Sequence, residues 1–526
     1  MANPPFRRVL IANRGEIAVR IIRGLRELGI ESVAVHSQVD RRSAHVLVAD
    51  HAFPLGGNTA AESYLDVGKI LGAAQAMGAE AIHPGYGFLS ENSGFARAVR
   101  EAGLVFLGPN PEAMDRLGSK KSAREEAVKA GVPVIPGVEK DDGDQSLIAA
   151  ARRIGLPVMV KASAGGGGRG MRMVEREADL AEAIASGRRE AQAAFGDDRM
   201  IVEKFVSPAR HIEIQLLGDK HGNVVSLHER ECSVQRRHQK VLEESPSPAV
   251  DADLRARMGA AAVKLAKAVG YDNAGTAEFL VDAHGHFYFL EVNARLQVEH
   301  PVTELVTGVD LVHLQVRVAA GEKLDDLLRG RDLRPRGHAL EARICAEAPE
   351  QGFLPAAGLL RLVREPEGPG IRVDSGVYSG WDVPVHYDSL LAKLIVWAPD
   401  RAMACARMTQ ALRAAVYLGI PTNVDFLRRI VDDPDFRAGM LTTDFLKHKP
   451  GLAVGTPLPP DDVVLAAAVL CQAVAPRAAA PQGNGSGNGN AGGPIGSSAL
   501  GDGRSARKST AVWHELPGLR LFGGGA

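Results

Sequence analysis

The stretch Glu291-Val-Asn293-Ala-Arg295-Leu-Gln297-Val-Glu299-His300 alternates polar side chains that can bind ligands with apolar ones. On an extended backbone the alternate polar residues share one face. Eight fully extended steps of about 3.3 Å would separate the two glutamates by roughly 26 Å, which is too far for one site. We therefore predict a strand to about Val292 and then a curved loop that wraps a substrate. The alternative is an amphipathic strand with a solvated face, which rarely carries this ordered mix of acid, amide and cation.

A second acidic residue precedes this stretch, in Gly275-Thr-Ala-Glu278-Phe-Leu. Glu278 comes directly before the apolar run Phe279–Val281, so it lies on a predicted strand. Magnesium prefers a few carboxylate oxygens together with phosphate oxygens. Glu278 and Glu291 on neighbouring strands would supply such carboxylates, whereas Glu278 taken alone is also typical of a surface acid.

A glycine-rich segment follows Lys161, in Ala-Ser-Ala-Gly165-Gly-Gly-Gly-Arg169-Gly170. It matches G-x-G-x-x-G, but a dinucleotide fingerprint needs a helix after the glycines. Here Met171–Val174 and the preceding Val158–Val160 both have strand character. We predict a glycine-rich hairpin whose backbone N–H groups cover phosphates, with Lys161 as a cation beneath them. A plain mobile loop is the alternative.

Two further segments are candidates for the same site. The range 229–240 is the densest basic run of the folded part, although such a run is often a solvated face. The range 83–92, His-Pro-Gly-Tyr-Gly-Phe-Leu-Ser-Glu-Asn, is a turn-rich loop before a helix capped near Ser90 or Asn92. A structural turn explains this second segment equally well.

The N-terminal pattern indicates the fold class. A buried strand at Val9–Ala12, a helical pattern from Ile17 to Leu28 and a strand at Val33–Val35 form a βαβ unit, and the pattern repeats to about Gly108. Such units predict a parallel sheet covered by helices. The 526 residues, 45% apolar and 24% charged, indicate a soluble protein of several domains. The net charge of −1 gives no reason to expect nucleic acid or an anionic membrane as partner.

The cysteines and the termini bear on the compartment. Cys232, Cys345, Cys405 and Cys471 form no C-x-x-C pair, which argues against a zinc knuckle or a disulfide framework and favours a reducing cytoplasm. The start of the chain lacks the apolar segment of a secretory signal, and Val463–Ala475 is too short to span a bilayer. We expect a cytoplasmic protein without a membrane partner. The range 476–510, rich in Gly, Asn, Ala and Ser, is predicted to be a disordered linker.

Taken together, these motifs resemble the biotin carboxylase family of the ATP-grasp fold. The matching segments are 11–18, 83–92, 161–171, 235–240 and 291–300, in the family's order over about the first 450 residues. The resemblance implies an α/β fold, α+β in parts, with a mobile glycine-loop lid. Its parts are an N-terminal Rossmann-like subdomain at 1–115, a connecting helix region at 116–132, the lid at 133–204, a C-terminal mixed-sheet subdomain at 205–450, a tail helix at 451–475, the linker at 476–510 and a short tail at 511–526.

The resemblance also assigns residues to roles. The ATP-binding positions would be Lys120, Lys161, Gly166, Gly167, Gly168, Glu203, Lys204, His211 and His238. The ligands of Mg²⁺ (or Mn²⁺) would be Glu278, Glu291 and Asn293, and the bicarbonate pocket would be Lys240, Arg295, Gln297 and Val298. Glu299 would be the general base, with Lys240, Arg295 and Arg343 as the other catalytic residues. Arg343 would stabilise carboxyphosphate and the biotin enolate, and Tyr86 would lie near biotin.

The implied activity is the ATP- and bicarbonate-dependent carboxylation of biotin, the first half-reaction of an acetyl-CoA or acyl-CoA carboxylase. The sequence contains no Ala-Met-Lys-Met motif, so biotin is expected as a substrate on a separate biotinylated carrier protein. A carboxyltransferase subunit and a second copy of the chain, in a homodimer, are the other expected partners. The final carboxyl acceptor stays open, as does whether the chain is a stand-alone subunit or a truncated longer one.

Local departures from the family pattern are Ser119 in place of Asp, Cys345 in place of Asn, and Ala164 in place of Gly. They remove no catalytic group. Three other functions are alternatives. A dinucleotide-dependent oxidoreductase would need a glycine fingerprint where Asn13-Arg14-Gly15-Glu16 stands. Another ATP-grasp ligase, such as one that makes carbamoyl phosphate, and a non-enzymatic nucleotide-binding or scaffold subunit are the others.

Overall fold

A computed structural model describes residues 4–138, 141–162, 172–195, 197–237 and 239–454 of the chain. These residues belong to one compact unit that spans Met1–Thr456. Within them, no helix combines the length and the apolar composition that crossing a bilayer would require.

The N-terminal part is a five-stranded parallel sheet with the order β3-β2-β1-β4-β5. It confirms the βαβ pattern predicted from the sequence. Apolar side chains of the strands and of the first helix, such as Ile11, Ile17 and Ile21, are fully buried between the two layers. The elements are β1 Arg8–Ile11, α1 Gly15–Glu27, β2 Glu31–His36, α2 Ala44–Val48, β3 His51–Pro54, α3 Val67–Ala76, β4 Ala81–His83, α4 Ser93–Glu101, β5 Val105–Phe106 and α5 Pro111–Leu117.

The next part is a small four-stranded antiparallel sheet with the order β6-β9-β7-β8 and two covering helices. The strands on either side of the glycine-rich segment pair antiparallel, as the predicted hairpin requires. This part has a hydrophobic cluster of its own, which includes Leu147, Val160 and Ile184. Its elements, with the helix that leads into them, are α6 Lys120–Lys129, β6 Gly137–Val138, α7 Asp144–Ile154, β7 Val158–Ala162, β8 Arg172–Val174, α8 Leu180–Phe195 and β9 Met200–Lys204.

The largest part is built on an eight-stranded antiparallel sheet with the order β14-β13-β10-β11-β12-β15-β22-β20. The elements are β10 Ala209–Gly218, β11 Val224–Arg236, β12 Gln239–Ser245, α9 Ala252–Ala268, β13 Asn273–Asp282, β14 Phe287–Asn293, α10 His300–Thr307, α11 Leu311–Ala319, α12 Leu324–Leu327, β15 His338–Cys345, β16 Glu347–Ala348, β17 Leu354–Pro355, β18 Gly358–Leu359, β19 Leu362–Arg364, β20 Ile371–Ser375, β21 Asp382–Val383, β22 Leu390–Ala398, α13 Arg401–Ala414, β23 Val416–Leu418, α14 Val424–Asp432 and α15 Pro434–Arg437.

The alternating stretch Glu291–His300 bends as predicted. β14 ends at Asn293, and α10 begins at His300 with Pro301 in its first turn, where a proline's missing N–H costs no hydrogen bond. Glu299 is the residue that flanks the helix N-terminus. The bend therefore brings the last acid of the alternating stretch back toward the sheet instead of leaving it far from Glu291.

Candidate active site

A cleft of about 1820 Å³ opens between the three parts of the unit. The sequence-predicted site residues that line it come from all three parts, and they are Tyr86, Lys120, Lys161, Glu203, Lys204, His211, Lys240, Glu278, Glu291, Asn293, Arg295, Gln297, Val298 and Arg343. Glu299 lies just behind this lining with a fully buried side chain. Gly166, Gly167, Gly168 and His238 lie outside the described residues.

A row of charged side chains crosses the large sheet at the cleft. Glu291 lies opposite Glu278, Glu278 opposite Glu213, and Glu213 opposite Arg230 on successive strands. Directly opposed residues of antiparallel strands point to the same face of the sheet. The strand register therefore confirms that Glu278 and Glu291 are neighbours on adjacent strands, as predicted.

Glu278 is buried, contrary to the surface position that its local sequence also allowed. One carboxylate oxygen accepts hydrogen bonds from Lys240 Nζ at 2.9 Å, Asn293 Nδ2 at 2.9 Å and Gln297 Nε2 at 3.2 Å. The other oxygen lies 2.9 Å from His211 Nε2. Burial alone would raise the pKa of Glu278, but Lys240 and His211 hold it far below its usual range. Glu278 is therefore ionised at neutral pH.

Glu291 is more open, because about a third of its side chain is exposed and its carboxylate lies 3.2 Å from the exposed Lys120 Nζ. One group of potential metal ligands near the cleft, among the described residues, is His211, Glu213 and Glu278. Glu213 is bonded to both Arg230 and Lys240 and does not line the cleft, whereas Glu278 and Glu291 do. Hard oxygen donors that face the cleft are thus supplied by Glu278 and Glu291, a donor set that fits Mg²⁺.

Glu299 is held between two cations. One of its oxygens lies 2.6 Å from Lys240 Nζ, and the other lies 2.9 Å from Arg343 Nη2. Burial would raise the pKa of Glu299, but Lys240, Arg343 and Arg230 together keep it well below the ordinary value. Glu299 is thus a buried carboxylate that stays charged at the edge of the cleft.

The two cations are shared with further acids that the sequence did not single out. Lys240 also contacts Glu213, and Arg343 also donates to Glu243. Burial raises the pKa of Glu243 to about 7, since Arg343 only partly compensates for it and the nearby Glu299 adds to it. Arg343 therefore lies between a carboxylate that is always charged and one that titrates near neutral pH.

The basic run 229–240 is a solvated face only at its end, where Arg237 and Gln239 are exposed. Arg230 is fully buried and donates to Gln215 Oε1 at 2.7 Å, Thr303 Oγ1 at 2.9 Å and Thr276 Oγ1 at 3.1 Å, besides its contact with Glu213. The solvated alternative is therefore wrong for 229–234, which are buried on β11. The signal in the sequence was the alternation of charges around Arg230 inside a strand pattern.

Other predicted residues have partners of their own. Lys161 Nζ lies 2.5 Å from a Glu203 oxygen, and Lys204 Nζ donates to the carbonyls of Gly155 and Leu156, both at 2.9 Å. These contacts join the strands at the base of the predicted lid. The Lys204 ammonium is thereby bonded within the protein.

Arg295 and Tyr86 lie at the N-terminal side of the cleft. Arg295 pairs with Glu91 at 2.9 Å and donates to Gln297 Oε1 at 2.7 Å and to Asn293 Oδ1 at 2.8 Å. The Tyr86 hydroxyl donates to Glu16, a buried residue in the first turn of α1. The loop predicted at 83–92 ends in a helix whose N-cap is Asn92, and Gly85 and Gly87 in it adopt a positive φ.

Comparison with known families gives three adjoining matches. Residues 5–114 match the biotin carboxylase N-terminal domain, residues 119–327 match the ATP binding domain of the carbamoyl-phosphate synthase L chain, and residues 341–448 match the biotin carboxylase C-terminal domain. Together they cover well over half of the chain.

Individual relatives agree with this. The biotin carboxylase of Nostoc sp. is 51% identical over 444 residues, which are 84% of this chain and 99% of the relative. The mitochondrial methylcrotonoyl-CoA carboxylase subunit alpha of Rattus norvegicus is 48% identical over 88% of this chain but only 65% of its own length.

Solved structures agree as well. The biotin carboxylase domain dimer of Hydrogenobacter thermophilus 2-oxoglutarate carboxylase, in complex with MgADP, ADP and bicarbonate, is 44% identical and superposes with a TM-score of 0.78, covering 86% of this chain and 99% of that one. A Campylobacter jejuni biotin carboxylase complex is 43% identical with a TM-score of 0.77, covering 84% of this chain and 99% of that one.

Proposed function

The chain belongs to the biotin carboxylase family, and we propose that its cleft uses ATP and bicarbonate to carboxylate biotin carried by a separate protein. The observation that carries this proposal is the buried, ionised Glu299 between Lys240 and Arg343. A base for bicarbonate must be charged at neutral pH, and its substrate anion must find cations beside it. Both requirements are met by these three side chains.

In the first step bicarbonate binds at Lys240, with Arg295, Gln297 and Val298 completing the pocket. Glu299 takes the proton of bicarbonate, and the carbonate oxygen attacks the γ-phosphorus of ATP. The bond from that phosphorus to the β-phosphate oxygen breaks, so the products are carboxyphosphate and ADP. Positioning of the two anions against fixed cations supplies most of the acceleration expected for such a transfer.

In the second step carboxyphosphate dissociates to carbon dioxide and phosphate. The phosphate takes the proton from the ureido nitrogen of biotin, and that nitrogen forms a bond to carbon dioxide. Arg343 steadies the negative charge on the ureido oxygen, and Tyr86 lies on the side where biotin would enter. A closed site is needed because water would compete for the labile intermediate.

ATP would be held between the lid and the large sheet by Lys120, Lys161, His211 and the strand Glu203–Lys204, with the glycine loop and His238 as further contacts. Glu278 and Glu291, with Asn293, would hold the magnesium ion, which when bound neutralises charge on the transferring phosphoryl group. Lys240 and His211 keep Glu278 ionised, so this ligand needs no deprotonation before the ion binds.

The partners we propose are a biotinylated carrier, a carboxyltransferase and a second copy of the chain. The absent Ala-Met-Lys-Met motif supports a carrier in trans, and the similar Hydrogenobacter domain is a dimer. Free thiols at Cys232, Cys345 and Cys405 among the described residues favour a reducing compartment such as the cytoplasm.

The test measures fixation of labelled bicarbonate into carboxybiotin, with free biotin, ATP and Mg²⁺, alongside phosphate release. We expect both signals to require bicarbonate, and Glu299→Gln to lower bicarbonate-dependent ATP cleavage by roughly a hundredfold while ATP still binds. A matched control is Glu322→Gln, an exposed acid paired with Arg317. Bicarbonate-independent ATP cleavage in the wild type, or a fully active Glu299→Gln protein, would contradict the proposal.

A further inference from the structure

Lys393 is a fully buried lysine that none of the motifs contains. It lies on β22, opposite Arg343 of β15 on one side and opposite Asp374 of β20 on the other. An ammonium group in such a place is costly unless it is hydrogen-bonded and paired with charge. The contacts of the Lys393 ammonium group therefore indicate its role.

The ammonium group donates to the carbonyl oxygen of Val298 at 2.8 Å. It also lies 3.3 Å from a Glu16 oxygen and 3.9 Å from an Asp374 oxygen. The Val298 carbonyl belongs to the peptide bond that leads into Glu299, at the bend between β14 and α10. Lys393 is thus bonded from behind to the backbone from which the base projects.

We propose that Lys393 is a positioning residue that fixes the Val298–Glu299 peptide, and with it the bicarbonate pocket, against the N-terminal part of the protein. This inference rests on the function proposed above. Lys393 does not touch the reacting atoms, so it acts through Val298 and Glu299. A charge-assisted hydrogen bond to a backbone carbonyl is well suited to hold a bend that no regular ladder supports.

The other end of the anchor is Glu16. One carboxylate oxygen of Glu16 accepts a hydrogen bond from the Tyr86 hydroxyl and faces Lys393. The other oxygen has no hydrogen-bond partner among the described residues. Gly376 allows Glu16 to approach Lys393 this closely, because a Cβ at position 376 would lie 2.6 Å from the backbone nitrogen of Glu16. Lys393 therefore connects the loop expected beside biotin, through Glu16, to the bend expected beside bicarbonate.

A neighbouring acid makes the charge of Lys393 more important. Glu341 is fully buried two residues before Arg343 on the same face of β15, and neither of its oxygens has a hydrogen-bond partner among the described residues. Burial raises the pKa of Glu341 well above its usual range, and Lys393 is the strongest charge that opposes this. Loss of Lys393 would leave Glu16 without the cation that faces it and would remove the charge that most opposes the burial of Glu341, whereas Asp374 would keep its pair with Arg372.

The test is Lys393→Met, which keeps the length and removes the ammonium group. We expect the KM for bicarbonate to rise about tenfold, as the loss of one charge-assisted hydrogen bond predicts, while the KM for ATP changes less than about twofold. The control is Arg255→Met, which removes the cation of a buried pair with Glu229 away from the cleft. It should lower the Tm comparably and leave both KM values unchanged.

Lys393→Met with an unchanged bicarbonate KM, or with parallel rises for bicarbonate and ATP, would overturn the positioning role. If that variant does not fold, Glu16→Gln decides, since it keeps the acceptor for Tyr86 but removes the charge beside Lys393. We expect a rise of about threefold in the bicarbonate KM alone, and no rise would again overturn the role. A wild type without bicarbonate-dependent ATP cleavage would refute the proposed function itself, whereas an active wild type with an unselective Lys393→Met refutes only the positioning role.

Discussion

At the scale of single residues, each buried cation of the site contacts several acidic side chains at once. Lys240 contacts Glu213, Glu278 and Glu299 at once, and its pKa is well above the usual value because these carboxylates outweigh its burial. Removing one member of such a buried group is costly, because the remaining charges lose their partner. The cations that would bind substrate are also those that keep the base charged.

Glu243 gives the site a pH dependence of its own. Because burial raises its pKa to about 7, Glu243 is neutral below that pH and becomes negative as the pH rises through it. The new charge on Glu243 lies next to Arg343, which donates to it at 2.6 Å, and it weakens the attraction of the pocket for an anion. We expect the KM for bicarbonate to increase about fivefold from pH 6 to pH 8.

The check is the same titration with Glu243→Gln, in which the increase should disappear while the KM for ATP follows the wild type. The concentration of bicarbonate itself must be held constant at each pH. An identical pH profile in the variant would show that Glu243 keeps its proton state over this range.

Some of these residues could be found in the sequence and others could not. Glu278, Glu291 and Glu299 belong to local patterns whose strand period puts them on one face. Glu213 reaches Lys240, and Glu243 reaches Arg343, only through the order of the strands in the large sheet. Glu16 lies on α1, far along the chain from Lys393, and only the packing of α1 against this sheet brings the two together. Lys393 had a local signal, a single lysine within the apolar run Leu390–Val396, because a lysine there is buried only when it is paired.

At the scale of elements, the pairing of β13 with β14 sets the metal site. The register that puts Glu278 opposite Glu291 is fixed by the apolar residues on the other face of the same strands, since a slip by one residue would exchange the faces. We expect Glu291→Gln and Glu278→Gln each to raise the Mg²⁺ concentration needed for half-maximal ATP cleavage, by about tenfold. Titrating Mg²⁺ at saturating ATP and bicarbonate measures this, with Glu322→Gln as the control. Unchanged magnesium dependence in both variants would contradict the assignment of Glu278 and Glu291 as magnesium ligands.

The lid is the second element with a testable behaviour. It has its own small core, and the Lys161–Glu203 ion pair lies at its base, so it can move as a body without disrupting the large sheet. We expect MgATP to slow tryptic cleavage at Arg169 in the glycine loop at least about fivefold, because bound phosphates order such loops. Cleavage at Arg507 in the tail is the internal control and should proceed at the same rate. An equal rate of cleavage at Arg169 with and without nucleotide would count against closure of the lid on ATP.

At the scale of the whole molecule, the sequence predicted the fold class better than the way in which the parts assemble. The βαβ pattern predicted the parallel N-terminal sheet, because it depends on contacts between neighbours in sequence. In the large sheet β22 pairs with β15 and β20, and α1 packs against β20 and β22. The contacts with α1 span hundreds of residues and have no local signal. The buried charges near Lys393 depend on that assembly, which is why only the structure reveals them.

The whole chain should also be free of covalently attached biotin. The prediction rests on the absence of a carrier motif from the sequence, so a streptavidin blot of the purified chain should be blank. A biotinylated carrier domain added to the same assay should accept label from bicarbonate. A streptavidin-positive band at the mass of the chain would contradict a carrier in trans.

The double contact of Glu299 with Lys240 and Arg343 has a consequence for the choice of substrate. An anion that enters between these two cations also meets the permanent negative charge of Glu299, which repels chloride or nitrate. Bicarbonate differs from these ions in carrying a hydrogen of its own, which it can donate to the Glu299 carboxylate. The pocket therefore selects an anion for its ability to donate a proton more than for its size. The hydrogen bond from bicarbonate to Glu299 is also the bond along which the proton is transferred.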